Sequence, residues 1–177
     1  PKKKLIGGNL VENLRYGENP HQGASVYSLN KEINIKQLNG KKLSYNNYND
    51  IFTGISLSKS FTKDYSTVII KHANPCGVAL DKRKINSYLK AYECDPTSAF
   101  GGIISCNYKV DKTVAKEISS KFYEVVVANG FESGALKILK RKKNLRLIDS
   151  SSLKELNFEQ NTSIMNNFLS QTSDTGI

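Results

Sequence analysis

Residues 67–77 read TVIIKHANPCG, and this stretch decides how the fold is predicted. It begins with a continuous β-branched run, which is typical of a strand buried on both faces. The run stops at Lys71 and His72, and Asn74 and Pro75 follow at once. Asn is favoured as a helix cap and Pro at the first helical position, so this turn can start a helix. The stretch therefore predicts a buried strand that ends at two proton-handling side chains.

The rest of the chain alternates strand patterns with helix patterns. One helix is predicted from apolar residues at positions 85, 88, 89 and 92, and Asp111 is predicted to cap another. Further strands are predicted at residues 24–29, 35–38, 102–106, 124–128 and 145–148, and further helices at 47–61, with Asn47 or Asn49 as its cap, and at 132–141. This alternation predicts an α/β fold with three layers, in which helices cover both faces of a mixed, largely parallel sheet.

Composition limits the class of protein. The 177 residues are 38% hydrophobic and 24% charged, which is typical of a soluble globular protein. No apolar run approaches the roughly 18 residues that span a bilayer, and no signal-peptide pattern opens the chain, so we expect a cytoplasmic protein with no membrane partner. The periodic pattern fills residues 1–150, whereas residues 151–177 are polar and are predicted to be a connecting segment.

The chain is basic, with 26 Lys and Arg against 16 Asp and Glu and a net charge of +10. Such a balance is compatible with nucleic acid, acidic lipid or anionic metabolites as partners. Most of the lysines are scattered, however, and aromatic residues do not interleave with them as in single-strand binders. We therefore expect no nucleic-acid partner, and attribute the charge to a solvated basic face or to attraction of a phosphorylated small molecule.

The three cysteines are Cys76, Cys94 and Cys106. An odd number without a close pair argues against a disulfide framework and favours a reducing compartment. No C-x-x-C pair supplies two thiolates from one turn, so a zinc site is poorly supported and we expect no metal.

Lys71 and His72 are the first candidates for chemistry. In open α/β sheets, sites form beyond the carboxyl ends of strands, and these two residues follow such an end. One interpretation is a Lys-His pair at a catalytic rim. The other is a snorkelling lysine beside a capping or core histidine, and the residues alone leave both interpretations open.

Three further patterns are candidate binding elements. Residues 15–22, RYGENPHQ, combine an arginine suited to phosphate or carboxylate with a tyrosine ring, although a structural turn would also explain them. Residues 95–102, DPTSAFGG, allow close backbone approach to a ligand beside Phe100, but an ordinary helix-to-strand loop fits equally well. Glu124 opens a predicted strand, where its carboxylate either binds an amine or amide or is a solvated strand end.

Taken together, five motifs resemble one enzyme family in order and spacing: LRYGENPHQ, LSYNN, KHANPCG, DPTSAFGG and EVVVANGF with the ALKILKRKKNLRLI that follows. The family is the bifunctional AICAR transformylase/IMP cyclohydrolase of purine biosynthesis, and the resemblance is to its transformylase part. It runs from about Leu14 to Ile148, with a weaker continuation towards Gly176.

The resemblance implies a reaction: formyl transfer from 10-formyltetrahydrofolate to the 5-amino group of AICAR, giving FAICAR and tetrahydrofolate without a catalytic metal. It implies that residues 1–150 form the first of two cytidine-deaminase-like subdomains, that residues 151–177 lead to a missing second one, and that active sites form across a homodimer. The resemblance also implies that the cyclohydrolase domain and later transformylase residues lie outside these 177 residues, so turnover by this chain alone is not expected.

The resemblance also assigns site residues by motif. The family's catalytic pair falls on Lys71 and His72, and its substrate-binding residues fall on Arg15, Tyr16, Phe100, Gly101 and Glu124. Two alternatives are weighed against an enzyme half: a non-catalytic module that binds a purine ribonucleotide or mediates dimerisation, and a zinc deaminase, which the missing ligand set disfavours.

Overall fold

The computed structural model describes residues 3–29, 33–153 and 160–172. The strands are β1 Asn9–Leu14, β2 Ala24–Ser28, β3 Lys36–Asn39, β4 Tyr65–Lys71, β5 Asn74–Asp81, β6 Ile103–Cys106, β7 Val125–Ala128, β8 Arg146–Asp149, β9 Gln160–Ile164 and β10 Asn167–Gln171. The helices are α1 Tyr45–Ser60, α2 Lys84–Cys94, α3 Pro96–Ala99, α4 Lys112–Ser119 and α5 Ser133–Leu139.

Six strands form the main sheet in the order β3-β8-β7-β6-β4-β5. The adjacent strands β6, β7 and β8 are parallel, whereas β4 runs antiparallel to both β6 and β5, and β3 runs antiparallel to β8. Strands β6 and β7 are buried along their whole length, as expected for strands covered on both faces.

Helices cover both faces of this sheet. On one face, Ile51 and Ile55 of α1 pack in a cluster with Val68 and Ile70 of β4. On the other face, α2, α4 and α5 pack against the alternate residues of the same strands, including Ile69 of β4. The three-layer mixed α/β fold predicted from the sequence is confirmed, with parallel pairing in its central strands.

Two helix starts test the cap predictions. Asp111 caps α4 as predicted, because its carboxylate accepts hydrogen bonds from the backbone amides of Thr113 and Val114 at 2.9 and 3.0 Å. The prediction for α1 is wrong: its cap is Ser44, and Asn47 lies three residues later. The Ser44 hydroxyl accepts from the Asn47 amide while the Asn47 side chain accepts from the Ser44 amide, both at 3.2 Å, so the two residues form a capping box.

The turn at Asn74 and Pro75 does not start a helix. These residues open β5, which forms a hairpin with β4. Pro75 is tolerated because β5 is at the edge of the sheet and the pairing has an irregularity at Ile69 and Ile70.

Two hairpins lie outside the main sheet. Strands β1 and β2 pair with each other, and β9 pairs with β10. The sequence predicted β2 but not β1, and it gave no signal for the second hairpin, which lies in the predicted connecting segment. The division into residues 1–150 and 151–177 stays a prediction. Within the described ranges, no helix combines the length and apolarity needed to cross a membrane.

Candidate active site

A tight turn between β4 and β5 carries the first candidates. Lys71 pairs with Asn74 across the hairpin, so His72 and Ala73 are the two turn residues. Both have positive φ, 53° and 59°, the signs of a type I′ turn. An L-residue in that region costs about 1 to 2 kcal/mol, and Asn-Gly is the usual sequence for it. The turn that presents His72 is therefore held against its local preference.

Two side chains hold this turn. The Asp50 carboxylate, on α1, accepts a hydrogen bond from the Ala73 amide at 2.7 Å. The Asn74 side-chain amide donates to the His72 carbonyl at 2.8 Å. His72 itself is exposed, so its imidazole faces the solvent from a fixed backbone.

Lys71 points to the loop before β6. Its ammonium donates to the Phe100 carbonyl at 2.8 Å. The next residue, Gly101, has φ of +69°, and a Cβ there would lie 3.1 Å from the Lys71 nitrogen and 3.4 Å from the Phe122 ring. Glycine at this position therefore leaves room for the lysine amine.

Two phenylalanines form an apolar rim beside Lys71. The Phe100 and Phe122 rings lie 5.1 Å apart, and 66% and 52% of these residues is exposed. The Gly101 amide donates to the Phe122 carbonyl at 2.9 Å, which fixes the two loops to each other. Such a solvent-facing pair offers planar surface to a flat ring.

Glu124 lies at the same edge of the sheet, directly before β7. Its carboxylate accepts a hydrogen bond from the Asn47 side chain at 3.2 Å and is 3.9 Å from the Arg146 guanidinium. Asn47 and Asp50 are three residues apart and share one face of α1. One helix face therefore contacts both Glu124 and the His72-Ala73 turn.

The electrostatics of this edge concentrate on Asp50. Burial raises the pKa of the Asp50 carboxyl, and the nearby Glu124 charge raises it further. The Ala73 amide and the charge of His72 lower the pKa of Asp50, but burial is the largest cause. The carboxylate is thus partly desolvated while it accepts the turn amide.

Arg15 and Tyr16 lie in the loop after β1, where the Arg15 guanidinium is 5.7 Å from the Tyr16 ring. The β1–β2 hairpin contacts α1 through Glu12, which accepts a hydrogen bond from the Tyr48 hydroxyl at 3.0 Å. In the described part of the chain, no hydrogen bond, ion pair or ring contact joins Arg15 or Tyr16 to Lys71 or His72. The structure therefore brings together five of the seven predicted residues, and the role of all seven stays a prediction.

The edge on which these residues meet differs from the expected one. Lys71 does end a strand, but β4 is antiparallel to β6, and Ile70 pairs with Ile103 at the start of β6. The candidate site therefore lies where the parallel strands begin, not beyond their carboxyl ends.

Four residues at this edge were not predicted as part of the site: Asn47, Asp50, Phe122 and Arg146. Asn47 was predicted only as a helix cap. No local signal identifies Asp50, because its partner is a backbone amide 23 positions away. Among the described residues, no group of three or more His, Cys, Asp or Glu side chains could hold a metal ion, and the three cysteines are free thiols.

Comparison with known proteins identifies the family. The profile of the family described as "AICARFT/IMPCHase bienzyme" matches residues 1–177. The chain is 45% identical over 178 residues to the bifunctional purine biosynthesis protein PurH of Clostridium kluyveri, covering 98% of this chain and 35% of that protein. It is 49% identical over 156 residues to PurH of Acetivibrio thermocellus, covering 84% and 30%.

PurH of Listeria monocytogenes is 40% identical over 182 residues, covering 100% of this chain and 36% of that protein. The chain thus spans about a third of the length of the curated relatives that it matches. With a match along its whole length and relatives at this identity, the chain belongs to the AICARFT/IMPCHase bienzyme family.

Proposed function

We propose that this chain is the part of an AICAR transformylase that carries the proton-transfer pair Lys71 and His72. The enzyme would transfer a formyl group from 10-formyltetrahydrofolate to the 5-amino group of AICAR in purine biosynthesis. Family membership and the names of the relatives support the pathway. The observation that carries the specific reaction is the meeting of the His72 turn, the Lys71 ammonium, the Phe100-Gly101 loop and Glu124 at one edge of the sheet.

The reaction needs a base at the attacking nitrogen. The AICAR amine is conjugated to its ring and is a poor nucleophile, so removal of a proton during attack accelerates the step. His72 is exposed on a hydrogen-bonded turn and can take that proton. A C–N bond forms between the amine and the formyl carbon, the bond from that carbon to N10 of the folate breaks, and N10 receives a proton.

Lys71 supplies positive charge near the same point. Its ammonium, which bonds the Phe100 carbonyl at 2.8 Å, can stabilise the developing formyl oxyanion or protonate the departing folate nitrogen. The two roles predict different pH dependence for a Lys71→Arg variant. An arginine keeps the positive charge that would stabilise an oxyanion, but it does not give up a proton near neutral pH.

Substrate contacts follow from the same edge. Glu124 can accept hydrogen bonds from an amine or amide of AICAR, and the Phe100-Gly101 loop gives a wall for a flat ring. Arg15 and Tyr16 would complete the nucleotide site from the loop after β1. We expect Arg15→Ala to weaken AICAR binding more than binding of its dephosphorylated nucleoside. Calorimetric titration of both ligands tests this, and equal losses would remove the phosphate role of Arg15.

The decisive variant is His72→Ala in a complete formyltransferase carrying this sequence. We expect loss of formyl transfer with AICAR binding retained, because the exposed imidazole is needed for proton transfer and not for folding. Lys116→Ala, an exposed substitution on α4, is the control for handling and folding. Near-normal turnover of His72→Ala would refute the catalytic assignment.

A second candidate is a non-catalytic module that binds a purine ribonucleotide or mediates dimerisation. The open rim favours it, because Phe100 and Phe122 face solvent and, among the described residues, no contact joins Arg15 to Lys71. Titration of AICAR into the 177-residue chain shows whether this chain forms a nucleotide pocket by itself. Binding by the chain alone supports a nucleotide pocket within it, whereas failure to bind by a folded chain supports a site shared with further sequence or with a homodimer partner.

A further inference from the structure

The turn that presents His72 lacks the residues that would make it self-sufficient. Type I′ turns favour Asn-Gly because both central residues need positive φ, yet this turn is His72-Ala73. Strained backbone of this kind persists only when surrounding contacts over-determine it. The question is which contact from outside the hairpin does so.

Asp50 provides that contact. Its carboxylate oxygen lies 2.7 Å from the Ala73 nitrogen, a short, charge-assisted hydrogen bond. The bond from the Asn74 side chain to the His72 carbonyl, by contrast, comes from within the hairpin itself. Among the described residues, no lysine or arginine forms an ion pair with Asp50, so the carboxylate is not committed to a salt bridge.

The helix that carries Asp50 is itself rigidly placed. Its neighbour Ile51 is fully buried against the sheet, and Ile55 one turn later is buried as well. Asn47, on the same helix face, contacts Glu124. A single buried helix therefore sets the position of the turn relative to a second candidate site residue.

We propose that Asp50 is a positioning residue. By accepting a hydrogen bond from the Ala73 amide, it holds the strained turn that orients His72 toward the reacting nitrogen. This inference rests on the proposed formyl transfer for its catalytic meaning. The structural part, that Asp50 fixes the turn, stands on geometry within this chain. Asp50 itself does not act on the substrate.

The structural part is tested by amide hydrogen exchange on the 177-residue chain. We expect the Ala73 amide to be protected and Asp50→Ala to lower its protection about 10- to 100-fold, the loss of one hydrogen bond to a charged group. Asp50→Asn should keep most of the protection, because an amide oxygen still accepts. Asp111→Ala removes a similar hydrogen-bonding carboxylate from the α4 cap and controls for general destabilisation.

Rescue by a second substitution sharpens the test. Glycine adopts positive φ without steric cost, so Ala73→Gly should make the turn less dependent on its external support. In a complete formyltransferase carrying this sequence, we expect Asp50→Ala to lower kcat about 10- to 100-fold with little change in KM for AICAR. Asp50→Asn should retain most of the turnover, and Asp50→Ala with Ala73→Gly should recover part of it.

The outcomes separate this inference from the proposed function. Unchanged exchange at Ala73 in Asp50→Ala, or an equal change in Asp111→Ala, overturns the positioning role. A rise in KM for AICAR with unchanged kcat also overturns it, because that pattern indicates lost substrate binding. Loss of Ala73 protection together with normal turnover of His72→Ala supports Asp50 as the support of the turn and refutes the proposed function instead.

Discussion

Gly101 gives the sharpest test of how the site is built. Alanine there would have to adopt φ of +69°, and its Cβ would approach the Lys71 nitrogen to 3.1 Å and the Phe122 ring to 3.4 Å. The left-handed conformation costs an L-residue about 1 to 2 kcal/mol, partly offset by about 0.4 to 1 kcal/mol from the smaller entropy of the unfolded alanine chain. Displacing the Lys71 ammonium weakens its hydrogen bond to the Phe100 carbonyl, which costs about 1 kcal/mol more. We expect Gly101→Ala to lower the free energy of unfolding by about 2 kcal/mol.

Gly130 is the matched control. It also has positive φ, +96°, but a Cβ there would meet only the Lys109 side chain at 3.6 Å, an ordinary contact. Gly130→Ala therefore carries the backbone strain alone, and we expect it to lower the free energy of unfolding by about 1 kcal/mol. The difference between the two variants isolates the crowding at Lys71.

Urea unfolding followed by far-ultraviolet circular dichroism measures both variants, since the chain has no tryptophan for fluorescence. In a complete formyltransferase carrying this sequence, Gly101→Ala should also lower turnover about 10-fold or more if Lys71 has the proposed role, because a small displacement of a catalytic group is costly. Gly130→Ala should leave turnover unchanged. Equal stability losses and equal turnover for the two variants would refute the role assigned to the space beside Lys71.

Three further predictions concern packing, capping and ionisation. Ser44→Ala removes half of the capping box of α1 and should lower the free energy of unfolding by about 1 kcal/mol, measured by urea unfolding. Gly77→Ala would bring a Cβ to 2.0 Å from the Ala91 carbonyl oxygen, so α2 must move away from β5; we expect a loss of about 3 kcal/mol or more by the same measurement. Burial, with the Glu12 hydrogen bond and charge, raises the pKa of Tyr48 to about 12. Glu12→Gln should lower that pKa without restoring the ordinary value of 10.0, as measured by absorbance titration of tyrosinate. In the unchanged chain, the contribution of the Tyr48 hydroxyl to the free energy of unfolding is present below pH 10 and is lost as the pH rises to about 12.

The sequence predicted the central strands well because their signal is local. Residues 125–128 and 103–106 are continuous apolar or small runs, and such runs are buried in a sheet covered on both faces. The same holds for α4, whose cap Asp111 stands directly before the apolar stripe. Where pattern, cap and burial agree, a sequence-based prediction needs no knowledge of tertiary contacts.

The start of α1 was misplaced for a physical reason. Asn47 and Asn49 are good capping residues, but Ser44 and Asn47 satisfy each other's backbone amides, so the helix begins two residues earlier than predicted. Strand β1 was missed because its apolar residues are largely exposed and its pairing partner is a second short strand. A two-stranded hairpin has little burial to impose a pattern.

The candidate site was predicted as a set of residues but not as an arrangement. Recognition of motifs identified Lys71, His72 and Glu124, whereas their meeting depends on the direction of β4. Since β4 is antiparallel to β6, its end lies beside the beginnings of β6 and β7. That direction follows from strand pairing between distant parts of the chain, which no local pattern specifies.

The helix start predicted at Asn74-Pro75 is wrong, and we attribute this to the geometry that the proposed function requires of the turn. Asn74-Pro75 carries a genuine helix-start signal, and a chain that followed its local preference would begin a helix there. It instead forms a hairpin whose turn residues, His72 and Ala73, are poor choices for positive φ. Local preferences broken in this way concentrate at sites where geometry matters more than stability. An Asn-Gly turn would form without help but would place no imidazole at the tip, so we infer that the hydrogen bond from the Ala73 amide to the Asp50 carboxylate is what permits a histidine there.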